Sequence, residues 1–178
     1  MTQDALMDQT TASHAITEED ALRADLYDFL AALLARPPER GLLDKTAGLH
    51  GDMSDLGQAI AALARVAGVS QPHTVETEFN ALFIGLGRGE LLPYASYYLT
   101  GFLNEKPLAA LRRDMAARGM TRAGNVHEPE DSIASSMEMM AGLIRGRFGA
   151  PAALDDQKHF FGKHIGPWAG HFFTDLEA

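Results

Sequence analysis

The densest set of titratable side chains in the chain is His127, Glu128, Glu130 and Asp131, in the run His-Glu-Pro-Glu-Asp-Ser. Carboxylates and an imidazole this close in sequence could hold a hard divalent cation or act as an acid/base pair, which defines one reading of the chain as a small metal-dependent enzyme. The spacing matches no metal signature, however. Acids next to Pro129 at the start of a helix are also what the unpaired N–H groups and positive end of a first turn favour. Gly85, Gly87 and Gly89 suggest a phosphate loop, with Arg88 able to touch a phosphate or carboxylate. A phosphate fingerprint needs a preceding strand and either a G-x-G-x-x-G frame or a following Gly-Lys-Ser/Thr, and the segment has neither, so it reads as a permissive connection or hinge. His159, His164 and His171 lack the H-E-x-x-H spacing of a zinc helix and are expected at the surface or as caps. Ser96 has no G-x-S-x-G elbow and reads as a cap or polar contact. Nucleophile and metal set are both missing, so the chain reads as a binder rather than a catalyst.

The elements that would position these residues are helical. Thr17 to Asp20 resembles a capping box, followed by Leu22, Leu26, Phe29, Leu30, Leu33 and Leu34 as one apolar face, until Pro37 and Pro38 stop the helix. Leu56, Ile60, Leu63 and Ala67 predict a second helix closing at Gly68. Val75, Phe79, Leu82 and Phe83 predict a third with Thr74 as its N-cap. A short aromatic helix over Tyr94 to Leu99 starts at Pro93, and Pro107 opens one carrying Leu108, Leu111 and Met115 that ends near Gly119. After a loop over 120–127, Pro129 opens a helix with Glu130 and Asp131 in its first turn. Ile133, Met137, Met140 and Ile144 form its buried stripe, with Met139 off that stripe, and Arg145 and Arg147 sit near its negative end. Phe160 and Phe161 end another helix, and Pro167 starts a last one bearing Trp168, Phe172 and Leu176. The expected fold is an all-α single-domain bundle of seven or eight helices over residues 17–178, behind a loose polar tail at 1–16.

Composition sets the remaining bounds. A chain of 178 residues, 46% hydrophobic, can bury one sizeable core without a staple. With no cysteine, disulfides, thiolate metal sites and thiol catalysis are excluded, which suits a reducing compartment such as the cytoplasm. No apolar run is long enough to span a bilayer, and no export signal is expected at the N-terminus. A formal charge of −9 disfavours nucleic acid and suits a basic partner.

Three segments together resemble the TorD/DmsD family of redox-enzyme maturation chaperones. A helix ends in Phe79, Leu82, Phe83 and Gly85; Pro93, Tyr94, Ala95, Ser96, Tyr97 and Tyr98 follow; and Glu128, Pro129, Glu130 and Asp131 match the family's Glu-Pro-x-Asp-His, with Ser132 where the family usually has His. His164, Pro167 and Trp168 match its closing His and Pro-Trp. The resemblance runs from about residue 20 to the C-terminus. It implies an all-helical, non-catalytic cytoplasmic chaperone without a cofactor, which binds the twin-arginine leader, the body, or both, of a molybdenum-cofactor oxidoreductase precursor until the cofactor is inserted and export can proceed. By position, the leader-binding residues would be Leu82, Phe83, Gly85, Pro93, Tyr94, Ser96, Asp131 and Ser132. A twin-arginine leader pairs guanidinium forks with an apolar stretch, so Glu130 and Asp131 would serve the first, and Phe83, Tyr94 and Tyr97 the second. On this reading Asp131→Ala weakens leader binding with little loss of fold. The segments 85–92 and 120–126 are candidate hinges for a homodimer formed by helix exchange.

Overall fold

Thr17 closes the expected capping box: its hydroxyl accepts from the Asp20 N–H at 3.1 Å, and the Asp20 carboxylate accepts from the Thr17 N–H. The helix it starts, α1, runs over Glu18–Ala35. The computed structural model describes residues 15–85, 89–122, 124 and 128–178, so most of the expected tail lies outside the described residues. Among the described residues eight further α-helices follow: α2 Arg40–Ala47, α3 Asp55–Val69, α4 Pro72–Phe79, α5 Ala95–Thr100, α6 Lys106–Ala117, α7 Ile133–Arg145, α8 Leu154–His164 and α9 Gly166–Leu176. A π-type turn, Asn80–Ile84, extends α4. No strand forms among them, and the expectation of one all-α domain holds. No helix among the described residues is long and apolar enough to cross a membrane.

The bundle is organised around α7, which is buried along nearly its whole length. α1 lies along one side of it. Its fully buried residues are Ala24 and Ala31; of the expected stripe, Leu30 and Leu34 pack against the core partly buried, and Leu22 is exposed. Small side chains let two helix backbones approach, here Ala24 onto Ala141 and Ile144, while Tyr27 and Leu30 fill the shoulders. Charge pairs secure the edge: Arg147 reaches Asp28 with both terminal nitrogens, at 2.8 and 2.5 Å, and Arg145 pairs with Asp25. The remainder of the core comes from α6, α8 and α9, through Leu111, Met115, Phe160, Trp168 and Phe172. Met139, expected off the buried stripe, is buried as well, because α7 is covered on more than one face.

Three local readings change. α2 goes unannounced, because eight residues holding one adjacent leucine pair carry too little periodicity. α4 starts earlier than expected, with Gln71 as N-cap and Pro72 in its first turn, so Thr74 is interior. α7 starts later: Ser132 is its N-cap, accepting from the Ser135 N–H at 3.2 Å, and Glu130 and Asp131 precede the helix instead of forming its first turn. The reason is tertiary. The Asp131 carbonyl and the Ile133 N–H are committed to Ala95 and Pro93, and Ser132 between them is held extended.

Candidate functional site

Pro93 to Ser96 and Asp131 to Ile133 run antiparallel for one bridge, Tyr94 to Ser132. The Ile133 N–H donates to the Pro93 carbonyl at 2.8 Å and the Ala95 N–H to the Asp131 carbonyl at 2.9 Å. One side chain completes the join. Asp131 Oδ2 accepts from the Ser96 N–H at 2.8 Å, supplying a first-turn amide of α5 with a partner that a six-residue helix cannot provide itself. Asp131, Ser96 and Ser132 are all buried. Asp131 Oδ1 and the Ser96 hydroxyl find no protein partner among the described residues.

Asp131 also lines a cavity of roughly 370 Å³ between α5, α6 and the end of α8. Ala95, Leu99, Pro107 and Leu111 give it apolar walls, while Thr100, Lys106, Lys163 and His164 add polar groups. Next to it, the Tyr94 hydroxyl donates to Glu128 Oε1 at 3.0 Å. Burial, then the Glu128 charge, pushes the Tyr94 phenol upward, and burial also raises the Glu128 carboxyl against the opposing pull of that hydrogen bond.

The π-turn leads into the same region. The Gly85 N–H closes it on the Asn80 carbonyl at 2.7 Å, with Gly85 at φ +62°, where a side chain would be strained. The chain then returns alongside it, the Leu91 N–H donating to the Leu82 carbonyl at 2.8 Å. A Cβ on Gly89 would lie 2.5 Å from the Phe83 carbonyl carbon, so this approach requires glycine. Phe83 turns into the core, edge-on to Phe79 at 4.8 Å and near Phe172 at 6.4 Å, and half-buried Tyr97 packs edge-on to Tyr98 at 5.9 Å. Gly87, Arg88 and His127 lie outside the described residues.

Of the residues singled out in the sequence, Pro93, Tyr94, Ser96, Asp131 and Ser132 meet directly, and Leu82 joins them through Leu91. Glu130 does not. It faces the opposite side of the α7 entry, held by Arg112 Nη2 at 2.7 Å and near Arg122, beside a second cavity lined by Met115, Met120 and Met139. Glu128, Glu130 and Asp131 thus engage three different partners, and no group of three metal-ligating side chains assembles among the described residues.

Sequence reasoning missed a further cluster on the cavity wall. Asp114 Oδ2 takes Lys163 Nζ at 2.7 Å and His164 Nε2 at 2.6 Å, and the Lys163 hydrogen bond leads in holding its carboxyl at about 2. His164, read as a surface or capping histidine, is buried, and burial pushes its imidazole down despite Asp114. His159 and His171 are exposed as expected. Only the spatial pairing of α6 with the end of α8 could have revealed the cluster.

A histidine whose folded pKa lies below its ordinary 6.5 resists a proton that the unfolded chain accepts, so stability is full above about 6.5 and falls as the pH drops below it. Asp114, depressed from 3.8, extends the loss toward about 2. The melting temperature of the wild type should therefore fall between pH 7.5 and 5.5 more than that of His164→Gln. Glu128 works in the opposite direction in both proteins and cancels in the difference. A wild type that gains stability relative to the variant on acidification contradicts the assignment.

Fold and site define an all-helical protein whose sequence motifs converge at the entry of α5 beside a cavity. Residues 50–174 match the family described as the nitrate reductase delta subunit, and the chain belongs to that family. It is similar to the chaperone protein TorD of Vibrio cholerae serotype O1, 33% identical over 102 residues, which are 53% of this chain and 46% of that protein. The TorD of Aliivibrio fischeri is 24% identical over 144 residues, covering 72% and 67% of the two chains. The match thus spans about half the length of the Vibrio cholerae relative. A solved structure described as a "putative redox enzyme maturation protein" from Archaeoglobus fulgidus shares the fold, with a TM-score of 0.51 at 19% identity over 91% of this chain and 85% of that one.

Proposed function

We propose that this chain is a cytoplasmic, non-catalytic maturation chaperone that receives the twin-arginine leader of a molybdenum-cofactor oxidoreductase at the α5–α6–α8 cavity, holding the precursor until cofactor insertion is complete and export can proceed. The observation that carries this reading is the pairing of the Pro93 to Ser96 and Asp131 to Ser132 segments beside that cavity, which Ala95 and Asp131 line, together with an Asp131 carboxylate oxygen that no described group engages. In this reading a guanidinium of the leader takes Asp131 Oδ1 from inside the cavity or Glu128 beside Tyr94, since Glu130 already holds Arg112. The apolar part of the leader lies on Leu99, Phe102 and Leu103, large exposed side chains of α5 and the turn after it. The acidic balance of the surface favours encounter with a cationic peptide.

The test is calorimetric titration of the chain with a synthetic twin-arginine leader and with its twin-lysine counterpart. Micromolar affinity, about 8 kcal/mol, is expected for the first and weaker binding for the second. Absence of binding to either peptide overturns the leader assignment, and equal affinities overturn the role given to the guanidinium groups.

A further inference from the structure

His164 carries a hydrogen-bonding atom that the fold itself does not use. Its imidazole comes off the last turn of α8, buried, on the wall of the α5–α6–α8 cavity, with the Phe160 ring 4.9 Å away between ring centres. Nε2 lies 2.6 Å from Asp114 Oδ2. The Lys163 hydrogen bond leads in holding the Asp114 carboxyl at about 2, so at neutral pH that carboxylate is an ionised acceptor and Nε2 carries the proton. Burial disfavours a second proton on the ring. Nδ1 is therefore a bare lone pair, and among the described residues no group donates to it. It is not one of the fully enclosed polar atoms left without a partner, so it keeps access to solvent, and the cavity is the space that His164 lines.

On the leader assignment proposed above, we infer that His164 Nδ1 is a specificity-determining acceptor of this cavity, taking one N–H of a leader guanidinium while a carboxylate takes another. A guanidinium fork spans two acceptors and an ammonium is a single point, so the ring nitrogen gives the cavity a reason to prefer arginine to lysine. The charges around the ring suit such a guest. Asp114 and Arg118 face it from α6, Lys163 lies beside it on α8, and Lys106 and Asp131 line the same cavity. Asp114 neutralises Lys163 at 2.7 Å, and Lys106 is exposed at the first position of α6, where its long stem can keep the ammonium in water. α5 contributes Ala95, Leu99 and Thr100, and α9 contributes Trp168, none of which titrates. A proton on Nδ1 turns it into a cationic donor, so proton and guanidinium compete for one lone pair.

Calorimetric titration of the full chain with a synthetic twin-arginine leader lacking histidine and acidic side chains, at pH 7.5 and 5.5, tests this against His164→Gln. The glutamine amide can donate to Asp114 and accept with its oxygen without titrating. On acidification the wild-type affinity should fall at least about threefold more than that of the variant. Glu128 titrates in both proteins and drops out of the comparison. A second measurement needs no variant: the NMR resonance of Nδ1 in nitrogen-labelled wild type, identified by the contact of the ring with Phe160, should move toward the range of a protonated nitrogen when the leader is added at pH 7.5. Parallel pH profiles in the two proteins, or an Nδ1 resonance that the bound leader leaves in place, overturn the role of His164 while the leader assignment stands. Absence of binding in both proteins at both pH values overturns the leader assignment and this inference with it. If His164→Gln does not fold, the nitrogen resonance decides.

Discussion

Trp168→Ala should destabilise the protein by about 3–5 kcal/mol, a large share of what holds a domain of this size together. Trp168 is fully buried in α9, packed against Tyr98 at 5.6 Å and Phe172 at 6.2 Å between ring centres. Its indole N–H donates to the His164 carbonyl at 2.8 Å. That carbonyl lies at the α8–α9 corner, where Ile165 is shared as the end of one helix and the start of the next. Alanine therefore removes packing area, opens a void, and leaves a buried carbonyl short of its donor. Trp168→Phe keeps most of the area and loses the hydrogen bond, so about 1–2 kcal/mol is expected. Urea unfolding followed by circular dichroism measures both. In the wild type the same transition is visible by fluorescence, since Trp168 is the single tryptophan of the chain. A loss below about 1 kcal/mol for alanine would show that the corner repacks and is not a keystone of the core.

The elements that could be read from sequence are those whose signals are local. Leu108, Leu111 and Met115 recur at helical spacing behind Pro107, and all three are buried on α6. Thr17 and Asp20 form the box their spacing announces, and Pro167, Trp168 and Phe172 mark α9. What failed depended on partners distant in sequence. Of the residues that announced α3, Ala67 is buried and Ile60 partly so, but Leu56 and Leu63 are left exposed, and Ala64 faces inward where α2 packs close. Pro129, Glu130 and Asp131 have the composition of a first helical turn, but the bonds of the following residues to Pro93 and Ala95, more than thirty positions earlier, win over local preference. In the site, the motif segments were visible one by one. The cavity they share, and the Asp114, Lys163 and His164 cluster on its wall, needed α6 and α8 to be placed side by side.

Asp131 separates folding from recognition. The expectation that Asp131→Ala spares the fold does not suit a buried carboxylate whose Oδ2 supplies the partner of a buried α5 amide. Removing it leaves that N–H orphaned, so about 2–4 kcal/mol is expected, a fall of roughly 10 °C in melting temperature. Asp131→Asn is the informative change. Its amide oxygen can still accept from the Ser96 N–H, so the cost to stability should be only about 1 kcal/mol. The NH₂ group then replaces the unengaged Oδ1 and turns an acceptor into a donor, which repels a guanidinium. On the proposed function, the asparagine variant should therefore melt close to the wild type while binding a twin-arginine leader at least about tenfold more weakly, or 1.4 kcal/mol. Thermal denaturation and calorimetry on the same samples resolve the two effects. If the asparagine variant binds the leader like the wild type, Asp131 serves only to hold α5 and α7 together, and Glu128, half-buried under the Tyr94 hydroxyl, becomes the acidic group to replace next.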